Sequence, residues 1–125
     1  MPSNIIVRKE FNLIEVWISG FLSLDELRRE GTKIREIALP LGKMKFMIDV
    51  REAVALARTW PIAIFSASSW ETLSSFCEEI AVVAQEADKN YLRFLEVISR
   101  NGGVKVKIFT SLKEAYEWIK SSAKE

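Results

Sequence analysis

A chain of 125 residues, 49% hydrophobic and 28% charged, has the size and mixture of one globular domain able to build its own core. Lys and Arg number 18 against 17 Asp and Glu, a net charge of +1, which argues against nucleic acid as partner because phosphate binding needs a cationic face. There is no histidine, and Cys77 is the single cysteine, so His-dependent triads, most zinc sites and any internal disulfide are excluded.

The chain opens with two strand patterns, Asn4 to Lys9 and Leu13 to Ser19. The second alternates, with Leu13, Glu15, Trp17 and Ser19 on one face and Ile14, Val16 and Ile18 on the other. The short link Glu10-Phe11-Asn12 predicts a hairpin, and Gly20 is expected to break the second strand. Ser23-Leu24-Asp25-Glu26 reads as a capping box that starts a helix running to about Leu39. Its apolar stripe is Leu24, Leu27, Gly31, Ile34 and Ala38, while Arg28, Arg29, Lys33 and Arg35 form a solvated face. Pro40 and Gly42 end it, and a strand over Met44 to Val50 follows.

Pro61 suits a helix's first turn, and Ile62, Phe65, Ser69, Leu73 and Phe76 step by three or four, predicting a helix from about Pro61 to Cys77. Cys77 then belongs to the packing stripe of that helix rather than to any chemistry. The run EIAVVAQ, Glu79 to Gln85, reads as a strand covered on both faces. Asp88 is expected to cap the next helix, with Tyr91, Phe94, Leu95 and Ile98 inward and Asn101-Gly102-Gly103 as its stop. Val104 to Phe109 is a further strand. A second capping box, Ser111 to Glu114, starts a last helix with Leu112, Ala115, Tyr116 and Ile119 on one face.

The expected fold class is therefore α/β: a mixed, mostly parallel central sheet with helices packed on it, in the order β-β-α-β-α-β-α-β-α, as one domain over residues 1–125. No basic-then-apolar leader and no apolar run long enough to span a bilayer is present, which places the chain in the cytoplasm by expectation.

Catalytic vocabulary is sparse. No glycine-rich phosphate turn follows a strand, and no cofactor is expected. Asp49 and Glu52 end one strand and Glu86 and Asp88 follow another. Together they suggest an acidic rim able to hold a hard cation, against the plainer reading of turn chemistry, which is favoured. The hydroxyl-rich segment around Ser66 and Ser69, with Phe65 inside it and Trp60 and Trp70 flanking, reads as a contact surface.

Three stretches carry a family resemblance: FMIDVREA from Phe46, EIAVVAQEADKNYLRFLEVI from Glu79, and VKVKIFTSLKEAYEWI from Val104. With the order of elements, they resemble the STAS superfamily (sulfate transporter and anti-sigma-factor antagonist domains), and more closely its bacterial SpoIIAA-like branch. Phe109, Ala115 and Trp118 stand where that branch has a strand-ending Phe, a helix Ala and a late Trp.

The resemblance implies a regulatory domain that works by protein contact and carries an Asp-Ser-Ser-Gly-type turn whose serine is phosphorylated. Here Asp49 matches the aspartate, Val50 and Arg51 stand at the serine positions and Glu52 at the glycine position. No hydroxyl is available there for a charge-adding switch. The expectation is thus a non-enzymatic binding or regulatory domain, a homodimer with an unidentified protein partner, with Asp49 holding the backbone of the turn after it. Trp60→Ala or Trp70→Ala is expected to weaken self-association. The alternative is a carrier of a small apolar ligand, a lipid or fatty acid, held between the helix over 61–77 and the sheet, as in the lipid-binding domains to which this branch is likened.

Overall fold

The computed structural model describes residues 3–22, 24–55, 77–93, 96 and 104–122. Five strands form one sheet in the order β1 (Ser3–Arg8), β2 (Leu13–Leu22), β3 (Met44–Ala55), β4 (Cys77–Val83) and β5 (Lys105–Phe109). β1 and β2 pair antiparallel, whereas the pairs β2–β3, β3–β4 and β4–β5 are parallel. Among the described residues the helices are α1 (Leu24–Ala38), α2 (Glu86–Leu92) and α3 (Leu112–Ser122). The mixed, mostly parallel α/β sheet is as expected. The helix expected over 61–77 lies outside the described residues, except for its last residue.

The hairpin between β1 and β2 turns through a short 3-10 segment, Lys9–Phe11, and closes at Asn12, whose φ of 56° is left-handed. Asn tolerates that region because its short amide bonds locally. Asn12 also fastens the hairpin to β3: its side-chain amide donates to the Lys43 carbonyl at 3.0 Å, and its carbonyl accepts from Lys45 N–H at 2.9 Å.

Both faces of the sheet are covered, so the strands carry apolar side chains on both sides. One face gathers Ile14, Val16, Phe46, Ile48, Ile80, Val82, Val106 and Ile108 against Ile34 and Ala38 of α1 and Leu92 of α2. The other places Leu13, Met47, Ala81, Val83 and Phe109 under Ala115 and Ile119 of α3. The stripe foreseen for α3 is the one it buries, and the Ser111 hydroxyl accepts from Glu114 N–H at 3.3 Å at its start.

Four local expectations are corrected. Gly20 does not break β2: it stays in the strand at φ 85° and pairs with Ala53. β3 does not stop at Val50 but continues to Ala55 alongside Ser19 to Leu22, because β2 runs on to meet it. Cys77 opens β4 instead of closing a helix, and its thiol sits at the foot of the sheet, 1% exposed. Asp88 does not cap α2. Gln85 occupies the cap position without a side-chain cap bond, and Asp88 lies in the first turn, where its charge favours the helix dipole. Ser23, the side chains of Leu24, Leu27, Arg28 and Tyr91, and residues Phe94, Leu95, Ile98 and 101–103 lie outside the described residues.

Candidate functional site

Alternation along β2 and β3 puts Leu13, Glu15 and Trp17 on the same face as Lys45, Met47 and Asp49. The parallel register sets these in rows that cross four strands: Leu13–Lys45–Glu79–Lys105, Glu15–Met47–Ala81–Lys107 and Trp17–Asp49–Val83–Phe109. Each row therefore brings charge onto a face that α3 covers. Glu15, Lys45, Asp49 and Glu79 are 2–4% exposed, and a buried charge is tolerated only when paired and hydrogen-bonded.

The pairing is found in each case. The Lys45 ammonium donates to the Ile119 carbonyl at 3.2 Å, near the C-terminal, electronegative end of α3, and lies 4.0 Å from the Glu79 carboxylate. Glu15 accepts from Arg8 Nε at 2.6 Å and from the Trp17 indole N–H at 3.3 Å. The hydrogen bond and charge of Glu15 hold the Arg8 guanidinium above its ordinary pKa. Burial, and next the Glu15 carboxylate beside it, push the Tyr116 phenol well above the ordinary tyrosine range. A neutral phenol and a charged guanidinium thus share one buried acid.

The third acid is Asp49. Trp17 pairs with Asp49 and Ser19 with Glu52, so one residue of β2, Ile18, faces two of β3, Val50 and Arg51. This is a β-bulge, which inserts an extra residue and re-aims side chains. Asp49 closes it: Oδ1 accepts the Arg51 backbone N–H at 3.0 Å, and Oδ2 accepts Arg51 Nη2 at 2.7 Å. That carboxylate raises the Arg51 pKa by hydrogen bonding first, with burial opposing the shift. Gln85 donates its side-chain amide to the Arg51 carbonyl at 2.7 Å, tying the bulge to the end of β4. Val50 points into the core at 6% exposed, whereas Glu52 is exposed.

Asp49, Arg51 and Glu52 are thus brought together level with the carboxyl ends of β4 and β5, on the stretch of β3 that continues past them, the end at which open α/β sheets bind ligands. Beside them lies a depression of about 800 Å³ that Asn4, Trp17, Ser19 and Lys33 also line. Asp49 holds backbone, as the sequence leads one to expect, but the backbone is a bulge within a continuing strand rather than a turn. Its charge is engaged by Arg51. Among the described residues, Asp49, Glu52, Glu86 and Asp88 do not gather as a cation-binding group. Trp60, Phe65, Ser66, Ser69 and Trp70 lie outside the described residues.

Sequence reading missed the buried network of Glu15, Lys45 and Glu79. The signal was present in the alternation of β2, which sets Glu15 between Leu13 and Trp17 on one face. Its meaning depended on α3 covering that face.

No family model and no curated protein matches the sequence. Among solved structures, the chain is similar to an uncharacterized protein of the DUF3478 family with a SpoIIAA-like fold from Shewanella loihica PV-4. The TM-score is 0.63 and the identity 14%, over 94% of this chain and 91% of that one. At that identity the likeness speaks to fold alone, and the fold of this chain is SpoIIAA-like.

Proposed function

We propose that this is a non-enzymatic binding or regulatory domain that acts through protein contact at the carboxyl end of its sheet. The observation that carries the reading is the bulge at Val50–Arg51. In the resembling regulators this position holds a phosphorylatable turn. Here Val50 is in the core, and Arg51 is fixed by Asp49 and by Gln85. Such an element is a rigid, preformed ridge that presents Glu52 and part of Arg51, and it has no hydroxyl to modify.

Support against enzymatic work comes from the sequence, which lacks histidine. Among the described residues the one cysteine thiol is buried, and burial, then the charges of Glu78 and Glu79, push its pKa far above the ordinary thiol range. No helix among the described residues is long and apolar enough to cross a membrane. We place the domain in the cytoplasm as a homodimer. Sedimentation velocity at high micromolar concentration then gives a dimer, and a clean monomer contradicts that part. The carrier reading depends on a helix over 61–77 and so lies outside the described residues.

The contact itself is tested by capture from extract of the cells the protein comes from. Glu52 is exposed and makes no hydrogen bond or ion pair within the described residues, so Glu52→Arg reverses surface charge without loading the core. The expected result is a partner held by the native protein and reduced at least about tenfold by Glu52→Arg at unchanged melting temperature. Equal recovery with both proteins overturns the assignment of the surface.

A further inference from the structure

A second concavity lies at the opposite end of the sheet, between the β1–β2 hairpin and the C-terminal half of α3, with a volume of about 720 Å³. Its apolar wall is Phe11, Leu13 and Ile119 together with the Tyr116 ring. Leu13 and Ile119 are buried parts of the core, so this wall is fixed, whereas Phe11 is 51% exposed at the hairpin tip. A half-exposed phenylalanine beside a cavity leaves apolar surface in water that an apolar guest would cover.

Charge sets the other property of the cavity. Its cations are Arg8, Lys9 and Lys120, against Glu10 and Glu15. Glu15 is already neutralised by Arg8 at 2.6 Å, which leaves two lysines against Glu10. The Arg8 contact uses Nε alone, and both Nη groups make no hydrogen bond among the described residues. Glu15 therefore holds a guanidinium in place with its paired outer donors unused, the fork that matches a carboxylate. The negative pole of α3, which would repel an anion, is partly met from below by Lys45 at the Ile119 carbonyl.

We infer that this cleft binds an apolar molecule with one anionic head group, of the fatty-acid type, its chain on Phe11 and Leu13 and its head at Arg8, Lys9 and Lys120. The site is distinct from the helix–sheet gap suggested by sequence, and it is independent of the contact surface at Glu52.

Titration calorimetry of the full chain with dodecanoate, below its micelle concentration, tests the proposal, with dodecanol and inorganic phosphate as comparison ligands. The expected result is saturable one-site binding of dodecanoate, at least about tenfold weaker binding of dodecanol, and none of phosphate. Phe11→Asp, at an exposed position, and the double variant Lys9→Glu/Lys120→Glu each weaken dodecanoate by at least about tenfold while keeping the native melting temperature. Three outcomes overturn the proposal: no saturable dodecanoate binding by the native protein, equal affinity for dodecanol, or unchanged affinity in Phe11→Asp. Each of these leaves the partner-capture result untouched, so the two readings fail separately.

Discussion

Lys45 is a charged residue in the middle of a sheet face, 4% exposed, and Glu79 and Ile119, from distant parts of the chain, are among its partners. Glu79 stands beside it in the register of β3 and β4, and Ile119 lies in the helix above. Removing one member of a buried pair leaves the other charge in a poorly solvating place. Lys45→Met should therefore destabilise the fold by about 3 kcal/mol or more in urea unfolding. Adding Glu79→Leu should return at least about 1 kcal/mol of that loss, because the carboxylate that lost its Lys45 contact goes too. Strictly additive costs would contradict the pairing.

Asp49 makes a smaller claim of the same kind. Asp49→Ala strips the acceptor from Arg51 N–H and frees the guanidinium, at a cost of about 2 kcal/mol in the same measurement. Asp49→Asn keeps an acceptor and should cost less.

Cys77 gives a pH-dependent test. Its folded pKa is raised by burial, so the stabilising contribution is present below the unfolded thiol value of about 8.5 and is lost as pH rises above it. A thiol-specific dye should leave the native protein unlabelled at mildly alkaline pH and react promptly once urea unfolds it. Rapid native labelling would show that the foot of β4 is open.

At the scale of elements, the strands β2 and β3 are longer than their patterns suggest. Gly20 normally weakens a strand, and a carboxylate after three apolar residues reads as a strand end. Both signals fail for one reason: β2 and β3 continue as a pair past a bulge, and pairing across strands is not written in either segment alone. Gly20 is needed there by its φ of 85°, since the space a Cβ would enter is empty to 4 Å. Gly20→Ala should thus cost about 1–2 kcal/mol from backbone conformation with no clash. Ser19→Ala next to it, at an exposed site, should be neutral within about 0.5 kcal/mol. Equal effects would remove the conformational explanation.

By contrast, the α3 stripe, the two-sided β4 and the opening hairpin were legible, because each depends on local periodicity and on turn or cap residues. That Asp49 holds backbone was legible as well. Its partner was not, because Asp49 and Arg51 meet through the geometry of the bulge.

At the scale of the whole molecule, both faces of the sheet carry apolar cores among the described residues, and Glu15, Lys45, Asp49 and Glu79 are buried on the face under α3. Among the described residues, the two ends of the sheet carry the surfaces proposed to meet other molecules. One end presents the Asp49–Arg51–Glu52 bulge, and the other presents the cleft between hairpin and α3. The functional reading turns on the first end being a fixed strand segment rather than a mobile switch turn.

Amide hydrogen exchange in the free protein tests that point most directly, residue by residue along β3. Asp49 accepts the Arg51 N–H, and Glu52 to Ala55 lie in register with Ser19 to Leu22. The Arg51 amide, held by Asp49, and the amides of Glu52 to Ala55 that face β2 should be protected far above an open loop, though less than Phe46 to Ile48, which pair on both sides. Exchange of Arg51 to Ala53 at the rate of an open loop, with Phe46 to Ile48 still protected, would contradict the account.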